Sequence, residues 1–404
     1  MKRIIIFTLL TAFLSVQVFS AAEDVDIFQF LYETSGTNQG RLDILQQMQN
    51  ARLIGAGHFY TNSLQKLVQG FDPSSTSTEK MYIGEMVKIL SQLIGQEKYT
   101  QAAIYLWRAV EIFGNERMPL VQSEALQALG RIQNKIYLER VVDLLKALNL
   151  APTKDTLTGS QVAFGAILAL EKYQDPKGYL PVFSASEGWY TERIKAQARK
   201  SLPLISRDPT PFLMKVVLGI GDSYTPSLKL AALKVSDVPG GDPKGKVTIA
   251  AAALSQARVS GNQIIWKAAI PMLQKYKAAD RVEMVDEEQD LDIRLSVSDE
   301  LQKLYSDRRS NQDDKKAIIA ALSFQATVES ATQLAKILEA LNTRQRQMGQ
   351  LNNSELELLT IIIPAIGNTR QPAGRDALSM IERINYTETI KRAARKELEK
   401  LPPL

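Results

Sequence analysis

Two segments of the chain, separated by 196 residues, carry almost the same amphipathic pattern. The stretch 190–202 reads YTERIKAQARKSL and the stretch 386–398 reads YTETIKRAARKEL, so nine of thirteen positions are identical without a gap. In the first stretch, Ile194, Ala198 and Leu202 stand four residues apart, which predicts the apolar stripe of an α-helix. Unrelated helices share common helix-forming residues, but the shared Tyr-Thr-Glu start favours an internal repeat of helical units.

The rest of the chain has the same helical period. From about residue 40 onward, apolar residues recur every three or four positions, and the alternating runs typical of strands are almost absent. The breaks are short and contain Gly, Asn, Asp or Pro, at residues 130–135, 174–178, 207–209 and 367–372. Short breaks join antiparallel neighbours, so the sequence predicts an all-α fold made of helix hairpins.

One order of elements occurs at least twice. Residues 362–367 close an apolar helix with Pro-Ala-Ile-Gly, a polar turn follows at 368–370, and a second apolar helix contains Ala377 to Ile381. Residues 123–148 have the same order. This order resembles a HEAT repeat. The resemblance implies a right-handed α-solenoid of stacked antiparallel hairpins, HEAT/ARM-like (armadillo-like), over about residues 115–400 with a poorer fit at 236–292.

The beginning of the chain has the pattern of a secretory signal peptide. Lys2 and Arg3 precede the apolar run Ile4–Val16, and the small residues of Ser20–Ala22 follow. This order of charge, apolar run and small residues is typical of a signal, and the run is shorter than the roughly 20 residues of a membrane-spanning helix. A buried N-terminal helix is the alternative. We expect cleavage after Ser20 or Ala22, a periplasmic or secreted protein, and no stable transmembrane anchor.

The predicted domain organisation has three parts. These are the signal peptide at 1–22, an N-terminal helical region of divergent repeats or a cap at 23–114, and the HEAT-like array at 115–404. Three segments depart from the helical pattern. Phe71–Lys80 and Val238–Lys246 are predicted to be loops, and the acidic run Asp286–Asp292 is predicted to be a solvated helix end.

The composition excludes several kinds of site. The chain has no cysteine and one histidine, which excludes disulfides, thiolate zinc sites, cysteine nucleophiles, lipoprotein anchoring and any mechanism that needs two histidines. Its 49 basic and 44 acidic residues nearly balance and are interleaved, so we expect no nucleic-acid partner. No metal and no cofactor are predicted.

One motif has an enzymatic counterpart. Gly221-Asp222-Ser223 follows an apolar run and resembles the nucleophile block of GDSL/SGNH esterases, which implies Ser223 as a nucleophile with a histidine base. The only histidine, His58, precedes this block, whereas the family places its base near the C-terminus. We therefore predict no catalytic residue. We expect Gly219 or Gly221 to close a helix and Asp222 or Ser223 to cap the next one.

Other conspicuous residues have structural interpretations. Gly240 to Lys246 nearly matches a phosphate loop, but Val247 stands where a magnesium-binding Ser or Thr is needed, so an exposed loop is predicted. His58 is predicted to be a surface or partly buried structural residue. The three tryptophans, Trp107, Trp189 and Trp266, are predicted to pack in the core or between repeats. For Trp189 the alternative is an aromatic contact at a turn.

The function predicted is non-enzymatic. An α-solenoid offers a long surface that holds another protein, so we expect a protein-binding scaffold of the bacterial cell envelope with a protein partner there. A serine esterase centred on Ser223 and a peptidoglycan or carbohydrate binder with aromatic platforms are the alternatives. The predicted partner-binding residues are charged positions on the second helices of hairpins: Arg140, Lys146, Lys215, Lys336, Arg375 and Glu382.

Overall fold

A computed structural model describes residues 21–152, 156–221, 224–237, 242–287 and 290–403. The chain divides into two compact units, Met1–Arg207 and Asp208–Leu404. The predicted signal lies outside the described residues up to Ser20, and Ser223 also lies outside them. The predicted boundary between residues 114 and 115 falls in the last turn of a helix and stays a prediction.

The described part of the first unit is helical throughout. Its α-helices are α1 Ala21–Thr34, α2 Asn38–Ala51, α3 Gly57–Gln69, α4 Ser77–Glu97, α5 Ala103–Asn115, α6 Pro119–Ile132, α7 Leu138–Leu150, α8 Thr156–Tyr173, α9 Tyr179–Glu187 and α10 Glu192–Ile205. The all-α fold class is confirmed here at the level of secondary structure.

The second unit has ten α-helices and one β-hairpin among its described residues. They are α11 Thr210–Leu218, α12 Pro226–Ser236, α13 Pro243–Ser260, α14 Gln263–Leu273, β1 Arg281–Asp286, β2 Leu291–Ser296, α15 Val297–Tyr305, α16 Gln312–Gln325, α17 Val328–Met348, α18 Asn353–Thr369, α19 Arg375–Ser379 and α20 Glu388–Leu398.

Each unit packs its alternate helices against one another. In the first unit α4 contacts α6, α6 contacts α8 and α8 contacts α10, while α7 packs on α8 and α9. In the second unit α14 contacts α16, α16 contacts α18 and α18 contacts α20, while α17 packs on α18 and α19. The helices ten places apart in the chain therefore have equivalent neighbours, and the second unit repeats the internal packing of the first.

One turn geometry joins helices four times in the described residues. The helix ends in a residue with a left-handed backbone, at Lys98, Gln133, Gln174 or Arg370, with φ between 52° and 54°. One extended residue follows, then a three-residue 3₁₀ helix, and then the next α-helix. The turn at Gln174 and the turn at Arg370 are 196 residues apart. The repeat offset therefore extends upstream of the thirteen residues that match in sequence.

The prediction for Asp286–Asp292 is wrong, because the described residues of this run lie at the facing ends of β1 and β2 and not at the end of a helix. The strands β1 and β2 are antiparallel, with Met284 opposite Ile293 and Val282 opposite Leu295. These four apolar residues lie on one face of the hairpin, since side chains alternate along a strand. The period-two pattern covers only a few residues per strand, which is why the helical period around it obscured the signal. The expectation of little sheet is confirmed for the rest of the described chain.

The two predicted loops are partly helical. In Phe71–Lys80 the helix α4 already begins at Ser77, because the Thr76 side chain accepts a hydrogen bond from the Glu79 amide. In Val238–Lys246, residues 238–241 lie outside the described residues, and Asp242 caps α13, which begins at Pro243. Proline is compatible with the first turn of a helix, so Pro243 can begin α13 within the predicted loop.

Candidate functional site

The most similar pieces of the two units are the ends that close them. We call α9–α10 and α19–α20 the closing modules. Tyr190 donates a hydrogen bond to Asn149 Oδ1 at 2.9 Å, and Asn149 donates to the Pro181 carbonyl at 2.9 Å. In the second unit Tyr386 donates to Asn342 Oδ1 at 3.1 Å, and Asn342 donates to the Ala377 carbonyl, also at 3.1 Å. Burial raises the pKa of Tyr386 to about 12 and also raises the pKa of Tyr190.

The two closing modules each contain a buried carboxylate, but a different helix carries it in each unit. Glu171 on α8 accepts a hydrogen bond from Ser201 on α10 at 2.7 Å, and both residues are buried. At the corresponding positions, 196 residues later, Gly367 stands on α18 and Glu397 stands on α20. A Cβ atom on Gly367 would lie 1.9 Å from Glu397 Oε2. The large acidic residue and the small residue have exchanged helices.

The exposed cations of the closing helices have local partners. Arg199 contacts Glu187 at 3.2 Å and the Ser186 carbonyl at 3.1 Å, and Arg395 forms two hydrogen bonds with Glu382 at 2.8 and 3.0 Å. Both arginines tie the closing helix to the end of the preceding one. Thr191 and Thr387 occupy the N-cap positions with extended backbone, but neither side chain accepts a capping hydrogen bond.

The first unit also carries an aromatic surface patch, which we call the Trp107 patch. It consists of Ile104, Trp107, Ile136, Tyr137 and Arg140. The Arg140 guanidinium lies over the Trp107 ring at 5.6 Å and over the Tyr137 ring at 5.5 Å, and the two rings stack at 6.1 Å. Ile104 is 59% exposed and Ile136 is 77% exposed, whereas the Tyr137 ring is buried. The patch therefore places two aliphatic side chains and the Arg140 cation at the surface beside a half-buried tryptophan.

Two of the six predicted partner-binding residues lie in the first unit, both on α7. Arg140 is exposed and belongs to the Trp107 patch. Lys146 is exposed and lies 3.8 Å from Asp143 in an ion pair of the same helix. An exposed pair of this type adds little to stability, so the Lys146 ammonium stays available to solvent.

The other four predicted residues lie in the second unit and differ in exposure. Lys336 on α17 is exposed, and Lys215 on α11 is half-buried. Arg375 donates a hydrogen bond to the Leu401 carbonyl at 3.0 Å, and Glu382 is the partner of Arg395. The last two side chains therefore have structural contacts. Among these six side chains, Arg140 lies over aromatic rings.

The described residues of the enzyme-like motifs have the following environments, while Asp222 and Ser223 lie outside the described residues. His58 is exposed, and its Nε2 lies 3.0 Å from Asn62 Nδ2. Gly219 closes α11 with φ of 77°, as predicted, but the next helix is capped by Thr225 rather than by Asp222 or Ser223. Lys246 of the phosphate-loop match is buried in α13, with its ammonium 4.4 Å from the centre of the Tyr276 ring.

The tryptophans occupy three different environments. Trp266 is fully buried, as predicted for a core residue. Trp189 is half-buried at the turn before α10, where it stacks on Tyr190 at 4.3 Å and donates to the Leu148 carbonyl at 3.1 Å. Trp107 is half-buried and stacks on Tyr137 just before α7, so of the two predicted roles it has packing between helices and not a core position. Its neighbours Arg108 and Glu111 are charged, which is the sequence signal for a surface position.

A pocket of about 730 Å³ lies among α1, α2, α3, α4 and the loop before α4. Its charged lining includes Arg41 and Lys66, which the sequence pattern did not single out. Within the described ranges, no group of three or more His, Asp or Glu side chains is placed to hold a metal ion. Across the same residues, no helix has both the length and the apolar character needed to cross a membrane.

Comparisons with known proteins do not assign the chain to a family. No protein-family model matches the chain, and no curated protein sequence is significantly similar to it. Among solved structures, the chain is similar to an engineered protein whose crystal structure was determined by the Northeast Structural Genomics Consortium, with 15% sequence identity. That match covers 93% of this chain and 98% of the engineered one, with a TM-score of 0.32.

Proposed function

We propose that this chain is a right-handed α-solenoid of the HEAT/ARM type that acts as a non-enzymatic protein-binding scaffold in the bacterial cell envelope. Support for the solenoid comes from the contacts of alternate helices within each unit. Stacked hairpins bury a shared apolar core and contact only their neighbours along the chain. Such an array leaves the outer faces of its helices available for another protein.

The observation that carries the binding function is the stack of Arg140 on Trp107 and Tyr137. Arginine, tryptophan and tyrosine are the residues most enriched among those that dominate binding energy at protein interfaces. The stack holds the guanidinium in place before a partner arrives, so less side-chain entropy is lost on binding. The exposed Ile104 and Ile136 supply apolar area beside it. The exposed apolar area beside the stack favours a protein partner over a sugar.

The other predicted contact residues differ in how accessible they are to a partner. Lys146 and Lys336 are exposed and can reach a partner, whereas Lys215 is half-buried. Arg375 and Glu382 are engaged by Leu401 and Arg395. We therefore assign the main role to the Trp107 patch and a charged rim to Lys146.

The location in the envelope rests on the sequence at the start of the chain. Lys2, Arg3 and the apolar run Ile4–Val16 are those of a signal peptide. Expression of the full chain in a bacterium should therefore give a periplasmic protein whose N-terminus is Ala21 or Glu23. N-terminal sequencing of the protein released by osmotic shock would decide this. An intact Met1 in the cytoplasmic fraction would contradict it.

The binding function is tested with a photocrosslinking amino acid in place of Ile136. Irradiation in living cells should give one dominant adduct with an envelope protein. The adduct should disappear in a chain that also carries Trp107→Ala and Arg140→Ala, and it should persist with Lys200→Ala. Lys200 is exposed on α10 and lies outside the patch, which makes it a matched surface control. No adduct, or an adduct that survives the double substitution, would refute the role of the patch.

The esterase alternative has its own test. Purified mature protein should show no hydrolysis of a generic ester above that of the Ser223→Ala variant. Hydrolysis that Ser223→Ala abolishes would overturn the non-enzymatic part of the proposal.

A further inference from the structure

We propose that the pocket among α1, α2, α3 and α4 binds the free α-carboxylate of a peptide C-terminus, with Arg41 as the recognising cation. The pocket volume of about 730 Å³ is within the range of small-ligand sites. The inference does not rest on the proposed function, because the Trp107 patch is formed by other helices.

Arg41 is the deepest charged group of the pocket. It is half-buried, whereas the other charged lining residues are exposed. Its Nε atom is buried and has no hydrogen-bond partner, and within the described ranges its guanidinium forms no ion pair. The guanidinium lies over the ring of the buried Tyr32 at 5.9 Å. Because the Nε atom is closed to solvent, a carboxylate in the pocket would pair with the Nη atoms of the guanidinium, which has no carboxylate partner among the described residues.

The remaining charges decide which anion fits. Lys66 adds a second cation at the rim, and Glu33, Asp72 and Glu79 add three carboxylates. Each acid has a local donor: Gln29 for Glu33, Ser74 for Asp72 and Asn38 for Glu79. The Ser74 hydrogen bonds hold the pKa of Asp72 below its usual value, so this carboxylate stays ionised.

A lining with two cations and three acids repels a phosphate or a small dianion. It accepts a single carboxylate on Arg41 if the rest of the ligand offers N–H donors to the rim acids. The last residues of a peptide have this pattern, with one terminal carboxylate and a backbone amide at each preceding residue. Apolar contacts come from Leu67 and Ile83, which also line the pocket. A peptide C-terminus therefore matches the site better than a free organic acid.

The experiment uses the full chain and three probes. The first is a mixture of N-acetylated tripeptides with free C-termini, the second is the same mixture amidated at the C-terminus, and the third is succinate. Ligand-observed NMR should detect members of the free-acid mixture that bind at least tenfold more tightly than their amides, with no comparable signal for succinate. Equal binding of acids and amides, or no binding of either, would overturn the proposal.

Variants then locate the site. Arg41→Gln should weaken the binding of the selected free-acid tripeptide at least tenfold, and Arg41→Lys should restore part of it because the charge remains. Arg108→Gln is the matched control, since Arg108 is exposed on α5 and lies outside the pocket. Unchanged affinity in a folded Arg41→Gln variant would overturn the assignment. Binding of succinate with the same dependence on Arg41 would show a site for small organic acids and would also overturn it. The wild-type comparison of acid with amide stands even if a variant fails to fold.

Discussion

The hydroxyl of Tyr190 donates a hydrogen bond to Asn149, 41 residues earlier in the chain, and thereby fixes the closing module of the first unit to α7. Tyr386 and Asn342 make the same contact in the second unit. The duplicated tyrosine therefore has a packing role in each unit. Its identity in the two segments is explained by this contact.

Removal of either tyrosine hydroxyl should lower the stability of the protein measurably. Tyr386→Phe leaves the Oδ1 atom of the buried Asn342 without its donor, so we expect the free energy of unfolding to fall by about 1–2 kcal/mol. Tyr190→Phe should have a similar effect. Tyr105→Phe is the control, because the half-buried Tyr105 hydroxyl has no hydrogen-bond partner among the described residues. Urea unfolding curves compare the three. Equal midpoints for Tyr386→Phe and Tyr105→Phe would contradict the role of the contact.

Gly367 should tolerate no side chain while Glu397 is present. A Cβ atom there would meet the Glu397 Oε2 atom at 1.9 Å and the Glu397 Cβ atom at 2.9 Å. We expect Gly367→Ala to lower the free energy of unfolding by about 1–3 kcal/mol, the range for an overpacked core.

A second substitution that restores the stability of Gly367→Ala would test whether positions 367 and 397 share one space in the core. Adding Glu397→Ser to Gly367→Ala should recover about 1 kcal/mol or more, because the clashing atoms are removed. Gly36→Ala is a suitable control, since no atom lies within 4 Å of a Cβ atom there. If the double variant is no more stable than Gly367→Ala in thermal unfolding, the two positions are not coupled as described.

The left-handed turn residues should gain stability from glycine. Gln174 has φ of 52°, is exposed and carries a side chain, so it bears the strain that glycine avoids. Gln174→Gly should raise the free energy of unfolding by about 0.5–1 kcal/mol. In contrast, Gln47→Gly in the middle of α2 should lower it by about 1 kcal/mol. A loss of stability on Gln174→Gly would argue against the turn geometry.

Stability should fall at alkaline pH. Burial raises the pKa of Tyr60, Tyr305 and Tyr386 to about 12, and a nearby carboxylate adds to the rise for the first two. In the unfolded chain these groups titrate near 10. The folded state therefore holds protons that the unfolded state has lost, so the stabilisation is complete below pH 10 and disappears as pH rises through 12.

Tyrosinate absorbance in an alkaline titration measures this directly. Part of the tyrosine signal should titrate near pH 10 and part only near 12 or on unfolding. In urea all tyrosines should titrate together near 10. A single folded-state transition near 10 would contradict the burial of these hydroxyls.

The helices of this chain could be predicted from sequence, and the correspondence of the two units largely could not. The three- and four-residue spacing of apolar residues is strong over long helices, as in α6 and α7. By contrast, only the segments 190–202 and 386–398 still match in sequence, because packing constrains the apolar character of a position more than its identity. The buried carboxylate is Glu171 on α8 in the first unit and Glu397 on α20 in the second, which removes similarity at both positions.

The candidate sites were less predictable because they depend on residues distant in sequence. Arg140 was expected as a contact residue from its helix position, but its stack on Trp107 requires two helices to be placed. The pocket around Arg41 collects residues from four helices and a loop. The β-hairpin was missed because its apolar alternation is only six residues long in each strand.

Tandem units with interchangeable ends risk assembling incorrectly as the chain folds. If α20 docked on α8, Glu397 would face Glu171, and two carboxylates would share one buried space. If α10 docked on α18, Ser201 would face Gly367 and leave an unfilled gap. Both pairings would be less favourable than the observed ones, in which Glu171 accepts a hydrogen bond from Ser201 and Gly367 leaves room for the Glu397 side chain.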